Sequence, residues 1–461
     1  MSFILSLFLL WITGAFLVLF FVKRQRYCCS MSEFLSLSFF LGTGITVYYM
    51  FIFGLLGVSY CIKNLSIIPA ALSVLILSRY LFKTGRISEP GTRGVHSEPW
   101  NLTEKLLLTG IIFQFLWVIF LAFPVPVQAH DAVANYALKA KILFTLKGNF
   151  TEMFSLSEDA AGHFVHPLWL SVIVSWVNTF TGGDEFLANM IMPTIYIMFG
   201  ILLYSLFRKI FNRAYSLLLL FAFITIHQIS NYSGIIYADL PLTAFTTCAF
   251  VYFILYIKNE NETQMLISSI LFGFSLLIKN EALIFVGGYL FLFFIYAIKN
   301  NGLKRKLIFR NLISAIAVIL AINVPWLIIK IVHGISNQYI GLTGLTADKF
   351  FENVRHIPVL LNSFQQEVFG PKKWNIFWIL VIAGGIWKRR MLWKDEIFYI
   401  TLYLVILMAG YVAGYMVVKV HNLYFYINTT LSRFMIHFSG ITLLLLAFLS
   451  AKDIRELESF K

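Results

Sequence analysis

Charge is what this chain has least of: Asp, Glu, Lys and Arg make up 13% of its 461 residues, about half the share usual in soluble domains. No stretch between the apolar runs is long enough for a soluble domain of ordinary size. The four cysteines, Cys28, Cys29, Cys61 and Cys248, lie in or beside apolar runs at no ligand spacing, which argues against a disulfide scaffold or a cysteine metal site. No Walker or Rossmann glycine pattern occurs, so a soluble nucleotide donor is not suggested. His163 and His166 are three apart, but no HExxH accompanies them, and no metal is expected.

Apolar surface is what the chain has instead. Hydrophobic residues make up 59%, with 47 Phe, 22 Tyr and 10 Trp, and the mean hydropathy is +0.81. Runs of about 20 apolar residues, the length that crosses a bilayer, recur throughout. Their backbone groups must be satisfied internally, so the spans are helices, and the expected fold is an all-α polytopic membrane protein. The net charge of +14 sits in short clusters beside span ends, where it orients helices and gives no sign of nucleic acid. These clusters are Lys23–Arg26, Lys83 with Arg86, Arg208–Lys209 with Arg213, Lys258, Lys299–Lys306 and Lys388–Arg390. Placing each in the cytoplasm gives roughly 13 spans and an outside N-terminus, provided the stretch from Pro167 to Phe180 lies along the membrane. The first apolar run carries its charges after it and shows no cleavage site, so it is an anchor.

One outer surface then collects Asp131, His163, His166, Asp239, Lys279, Asn280, Glu281, the loop from about Lys330 to Gly370, His421 and Arg433. If residues 131–146 are α-helical, Asp131, Asn135 and Lys139 share a face. Asp131 then reads either as a general base with Lys139 or Lys141 beside a lipid phosphate, or as a helix cap with snorkelling lysines. Asp239, before Pro241, reads as a ligand contact or as a cap. Lys279 and Glu281 read as a tight polar turn, a neutralising pair or a binding pair.

The order Asp131-Ala-x-Ala-Asn-Tyr-Ala-Leu-Lys-Ala-Lys141, His166-Pro-Leu168, Tyr237-Ala-Asp-Leu-Pro-Leu242, Lys279-Asn-Glu281 and Thr429–His437 resembles bacterial GT-C glycosyltransferases related to protein O-mannosyltransferases and lipid A sugar transferases. The resemblance covers about 106–450. It implies a GT-C-type helical bundle with juxtamembrane helices in the first large outer loop, and residues divide as 1–104 (three extra spans and a cytoplasmic loop), 105–330 (catalytic module, outer loop 124–185), 331–373 (outer loop over the lipid donor) and 374–461 (terminal spans). It also implies a polyprenyl-phosphate sugar as donor, inversion at the anomeric carbon, and a glycan or lipid acceptor of the cell envelope at the outer face of a bacterial inner membrane. Asp131 is then the catalytic base; Lys139, Lys141, Lys279 and Arg433 hold phosphate; His166 and Asn280 contact substrate, and Asp239 and Glu281 contact its hydroxyls or orient the lysines.

The chain departs from the family in places. Trp169 follows His166-Pro-Leu168 where a tyrosine-proline is usual. His130 replaces the second acid of the protein O-mannosyltransferases, which argues against a protein acceptor, and the metal-chelating acidic pair of oligosaccharyltransferases is also absent, which implies metal independence. A lipid-linked sugar flippase, a ligase or polymerase relying on Arg355 and His356, and a non-catalytic scaffold remain as alternatives. The flippase would be expected to carry midplane charges or an internal repeat, and the sequence shows neither.

Overall fold

The computed structural model describes residues 2–25, 27–81, 99–157, 164, 166–335, 347–418 and 422–458. His163, His421, Lys83, Arg86 and the stretch 336–346 lie outside these. No strand occurs among the described residues, and nine of their helices are long and apolar enough to cross a membrane. Three more, Ile62–Ile76, Arg213–Ile224 and Phe377–Trp387, are apolar but shorter. The chain is therefore an all-α polytopic membrane protein. Arg213–Ile224 and Phe377–Trp387, of 12 and 11 residues, rise only about 16–18 Å and fall short of a full crossing on their own.

Two compact units divide the chain, the first built mainly from residues 1–164 and 168–224. It contains α1 (Ser2–Gln25), α2 (Met31–Leu55), α3 (Ile62–Leu81), α4 (Leu102–Ala122), α5 (Leu138–Thr145), α6 (Phe150–Ser155), α7 (Trp169–Thr181), α8 (Glu185–Asn189), α9 (Ile191–Phe207) and α10 (Arg213–Ile224). Helix α7 has 13 residues, too few for a crossing on its own, and nearly all of them are buried. Two basic residues at the α9–α10 junction have buried acid partners: Lys209 Nζ lies 2.9 Å from Glu33, and Arg213 grips both oxygens of Glu104. Glu104 also closes a capping box with Asn101 at the start of α4.

Helices α1 and α2 approach backbone to backbone. A Cβ on Gly14 would collide with the Ser38 carbonyl oxygen, and one on Gly42 with that of Leu10. Small residues at such a crossing let helices gain dispersion contacts where lipid supplies no hydrophobic drive. Gly42→Ala is therefore expected to lower stability by about 1–3 kcal/mol through overpacking, outweighing alanine's better helix propensity. The thermal unfolding midpoint in detergent reads this out, and an unshifted midpoint would contradict the close crossing.

The second unit comprises residues 165–167, 225–232 and 238–461. Its helices are α11 (His227–Tyr232), α12 (Asp239–Asn259), α13 (Glu262–Ser275), α14 (Ala282–Lys299), α15 (Gly302–Val332), α16 (Ala347–Val354), α17 (Ile357–Phe369), α18 (Pro371–Trp374), α19 (Phe377–Trp387), α20 (Asp395–Val417) and α21 (Leu423–Glu458). Helix α12 is buried along nearly its whole length and packs on α13 and α21. The stretch read as an outer loop, 331–373, is largely helical where it is described. Helix α17 begins with Pro358 in its first turn, where proline costs no hydrogen bond. It buries Leu360 and leaves Leu361 and Phe369 exposed.

Candidate active site

In the first unit, Asp131 heads an unusual segment. Ala129 adopts φ +76°, a left-handed conformation uncommon for a residue with a Cβ. Residues Ala132–Ala137 then form a π-turn, with the Leu138 N–H donating to the Val133 carbonyl. Such turns are rare and cluster at functional sites. The Asp131 side chain makes no capping hydrogen bond to this helix, so the cap reading is not met. Its side chain is 36% exposed, with His130 Nδ1 at 3.6 Å.

The exposure along this segment differs from the expected polar face: Asp131 and Asn135 are part-exposed, whereas Lys139 is only 1% exposed. Lys141 is exposed and pairs with Glu185 at 3.1 Å, a surface pair worth about 0–1 kcal/mol.

In the second unit, Asp239, Lys279, Glu281 and Arg433 meet in one cluster. Asp239 opens α12 and is fully buried. Its Oδ1 accepts from Lys279 Nζ at 3.1 Å and from His437 Nε2 at 2.8 Å, and its Oδ2 accepts from Arg433 Nη2 at 3.0 Å. The tight connection between α13 and α14 carries both Lys279 and Glu281, and Lys279 Nζ reaches Glu281 Oε1 at 3.1 Å. Two carboxylates thus face two fixed cations. Pairing of this kind is the condition under which buried charge is tolerated.

His437 completes the arrangement. Its Nδ1 lies 2.6 Å from the Tyr411 hydroxyl. With Tyr411 donating to Nδ1 and Nε2–H donating to Asp239, both ring nitrogens are satisfied in the neutral tautomer. The cluster opens on one side: the Glu281 side chain is 23% exposed and Arg433 16%, against 5% for Lys279. Burial alone would raise the Glu281 carboxyl, yet Lys279 above all holds it below the usual carboxylate value. Glu281 is therefore an anion at neutral pH, and Asn280 stands part-exposed beside it.

The geometry corrects the capping reading of Asp239: it does not cap a helix beginning at Pro241, because α12 begins at Asp239 itself. Its oxygens are taken up by Lys279, His437 and Arg433, the arrangement of a residue that orients the lysine. Arg433 also lies ten residues into α21 and not at a span end. Sequence reasoning passed over His437 and Tyr411. The i, i+4 spacing of Arg433 and His437, which sets both on one face of a helix, was the available signal; nothing comparable marked Tyr411.

No curated protein and no solved structure matches the chain. Residues 165–329 match the family model described as dolichyl-phosphate-mannose-protein mannosyltransferase. The matched segment holds His166, Asp239, Lys279, Asn280 and Glu281, and it stops short of Asp131 on one side and of Arg433 on the other. The chain is thus a polytopic membrane protein whose central third resembles polyprenyl-phosphate-sugar-dependent glycosyltransferases of the GT-C type.

Proposed function

We propose that this protein is an inverting glycosyltransferase that moves a sugar from a polyprenyl-phosphate donor to a glycan or lipid acceptor of the cell envelope, on the outer face of the membrane. The acceptor hydroxyl oxygen attacks the anomeric carbon, the bond from that carbon to the phosphate oxygen breaks, and Asp131 takes the hydroxyl proton. Polyprenyl phosphate departs as a stable anion, so no separate general acid is needed. Cationic side chains offset the charge that grows on it.

The observation that carries this reading is the setting of Asp131: a part-exposed carboxylate, free of helix-capping duty, between a left-handed alanine and a π-turn. Local irregularity of this kind persists where the surroundings enforce it. Lys141 follows on the same segment as an exposed candidate phosphate partner, whereas Lys139 is buried. In the second unit, Arg433 and Glu281 are the members of the ionic cluster with open surface, suited to phosphate and sugar hydroxyls respectively. His130 in place of a second acid supports a glycan or lipid acceptor over a protein, and the missing acidic pair of oligosaccharyltransferases supports a reaction that needs no metal.

Transfer of radiolabel from a panel of polyprenyl-phosphate sugars into membrane glycolipid, by the purified protein in proteoliposomes, tests the proposal. One donor is expected to be used, at a rate unchanged by EDTA. Labelled lipid that crosses the bilayer without any transfer would instead make the protein a flippase.

A further inference from the structure

The amino-terminal end of α15 carries a feature that sugar transfer leaves unused. Arg305, Lys306, Phe309, Arg310 and Ile313 line a shallow, open surface groove along this one helix. The spacing 305, 306, 309, 310, 313 puts all five on one face of the helix. From Arg305 to Ile313 that face runs about 12 Å along the axis, beginning in cations and ending in an exposed isoleucine. Arg305 lies over the Phe309 ring at 5.6 Å.

The cations are not equivalent. Lys304 is paired with Glu260, and Arg310 with Glu262 at 2.7 Å. Among the described residues Arg305 and Lys306 take no carboxylate partner, so the groove keeps net positive charge. The Asn301 side chain makes no capping bond to α15, and the positive end of a 31-residue helix adds to the same potential.

We propose that this groove binds the headgroup of an anionic bilayer phospholipid. Arg305 and Lys306 meet the phosphate, and Phe309 and Ile313 receive the first part of an acyl chain. A water-soluble anion would use the cations and leave the apolar end idle; a zwitterionic lipid would use the apolar end and leave the charge unbalanced. Only a lipid that is both anionic and acylated matches the order of the two along one helix face.

The test uses the full-length protein in phosphatidylcholine vesicles containing traces of photoactivatable phosphatidylglycerol or photoactivatable phosphatidylcholine, with crosslinks mapped by peptide mass spectrometry. Phosphatidylglycerol is expected to label the 302–314 segment well above phosphatidylcholine. At about fivefold per cation, Arg305→Gln with Lys306→Gln should weaken that labelling roughly 25-fold, while Arg305→Lys retains most of it. Equal labelling by the two lipids overturns the proposal. So does displacement of phosphatidylglycerol by inorganic phosphate, which would make the groove a free-anion site, or by polyprenyl phosphate at trace level, which would assign it to the donor. If the double variant does not fold, the comparison of the two lipids on the unaltered protein decides alone.

Discussion

Asp131→Asn is expected to reduce sugar transfer by about 10²–10⁴-fold, the usual contribution of a positioned general base. Asparagine keeps the size and polarity of the side chain and removes only its capacity to take a proton. The loss should therefore fall on kcat, with the KM for the lipid donor little changed, as for an interaction made only in the transition state. Stability should hardly move. Asp131 makes no capping bond and is part-exposed, and substitutions at such positions usually stay within about 0.5 kcal/mol. Transfer by wild type and variant at matched amounts, alongside their unfolding midpoints, separates the possibilities. Full activity in the variant removes Asp131 from the chemistry, and a midpoint that falls in step with activity makes the residue structural.

The helical, membrane-spanning character of this chain was legible in the sequence because it rests on composition and run length, which need no tertiary information. The position of Asp131 at the head of a helical segment was legible for the same reason: an apolar run ends at Phe123 and a mixed-polarity segment begins eight residues on. The π-turn that succeeds Asp131 was hidden. It differs from an α-turn by one residue in its hydrogen bonds, and the stretch Ala132–Ala137 carries no proline or glycine to announce it. The burial of Lys139 was hidden as well: the sequence places it on a polar face, and the fold leaves it 1% exposed. The partners of Asp239 were hidden for a different reason. Lys279, Arg433 and His437 stand 40, 194 and 198 residues away, and only packing joins them. The same holds for Glu33 with Lys209 and Glu104 with Arg213, whose basic members read in the sequence only as topology signals.

The second large effect concerns that buried cluster. Asp239→Asn should cost about 3–5 kcal/mol of stability, the penalty for removing one partner from a buried ion pair. The carboxamide is nearly the same size, so lost packing is not the cause. The cause is charge: Lys279 and Arg433 remain, and Glu281 alone must answer both. Asparagine also presents one acceptor oxygen and an NH₂ group where the carboxylate presented two acceptors, so at least one of Lys279, His437 and Arg433 is left facing a donor. Adding Arg433→Gln to Asp239→Asn removes the excess cation together with its lost partner, and the double variant should be more stable than the sum of the two single losses by about 1–3 kcal/mol, as expected for groups in direct contact. Unfolding in a fixed detergent, followed for wild type, both single variants and the double, supplies the cycle. Strict additivity would mean that Asp239 and Arg433 do not act on one another. A coupling of the expected size would mean that the amino-terminal end of α12 and the middle of α21 are held together by charge, with Arg433 fixed in place by Asp239 while part of its guanidinium surface stays open.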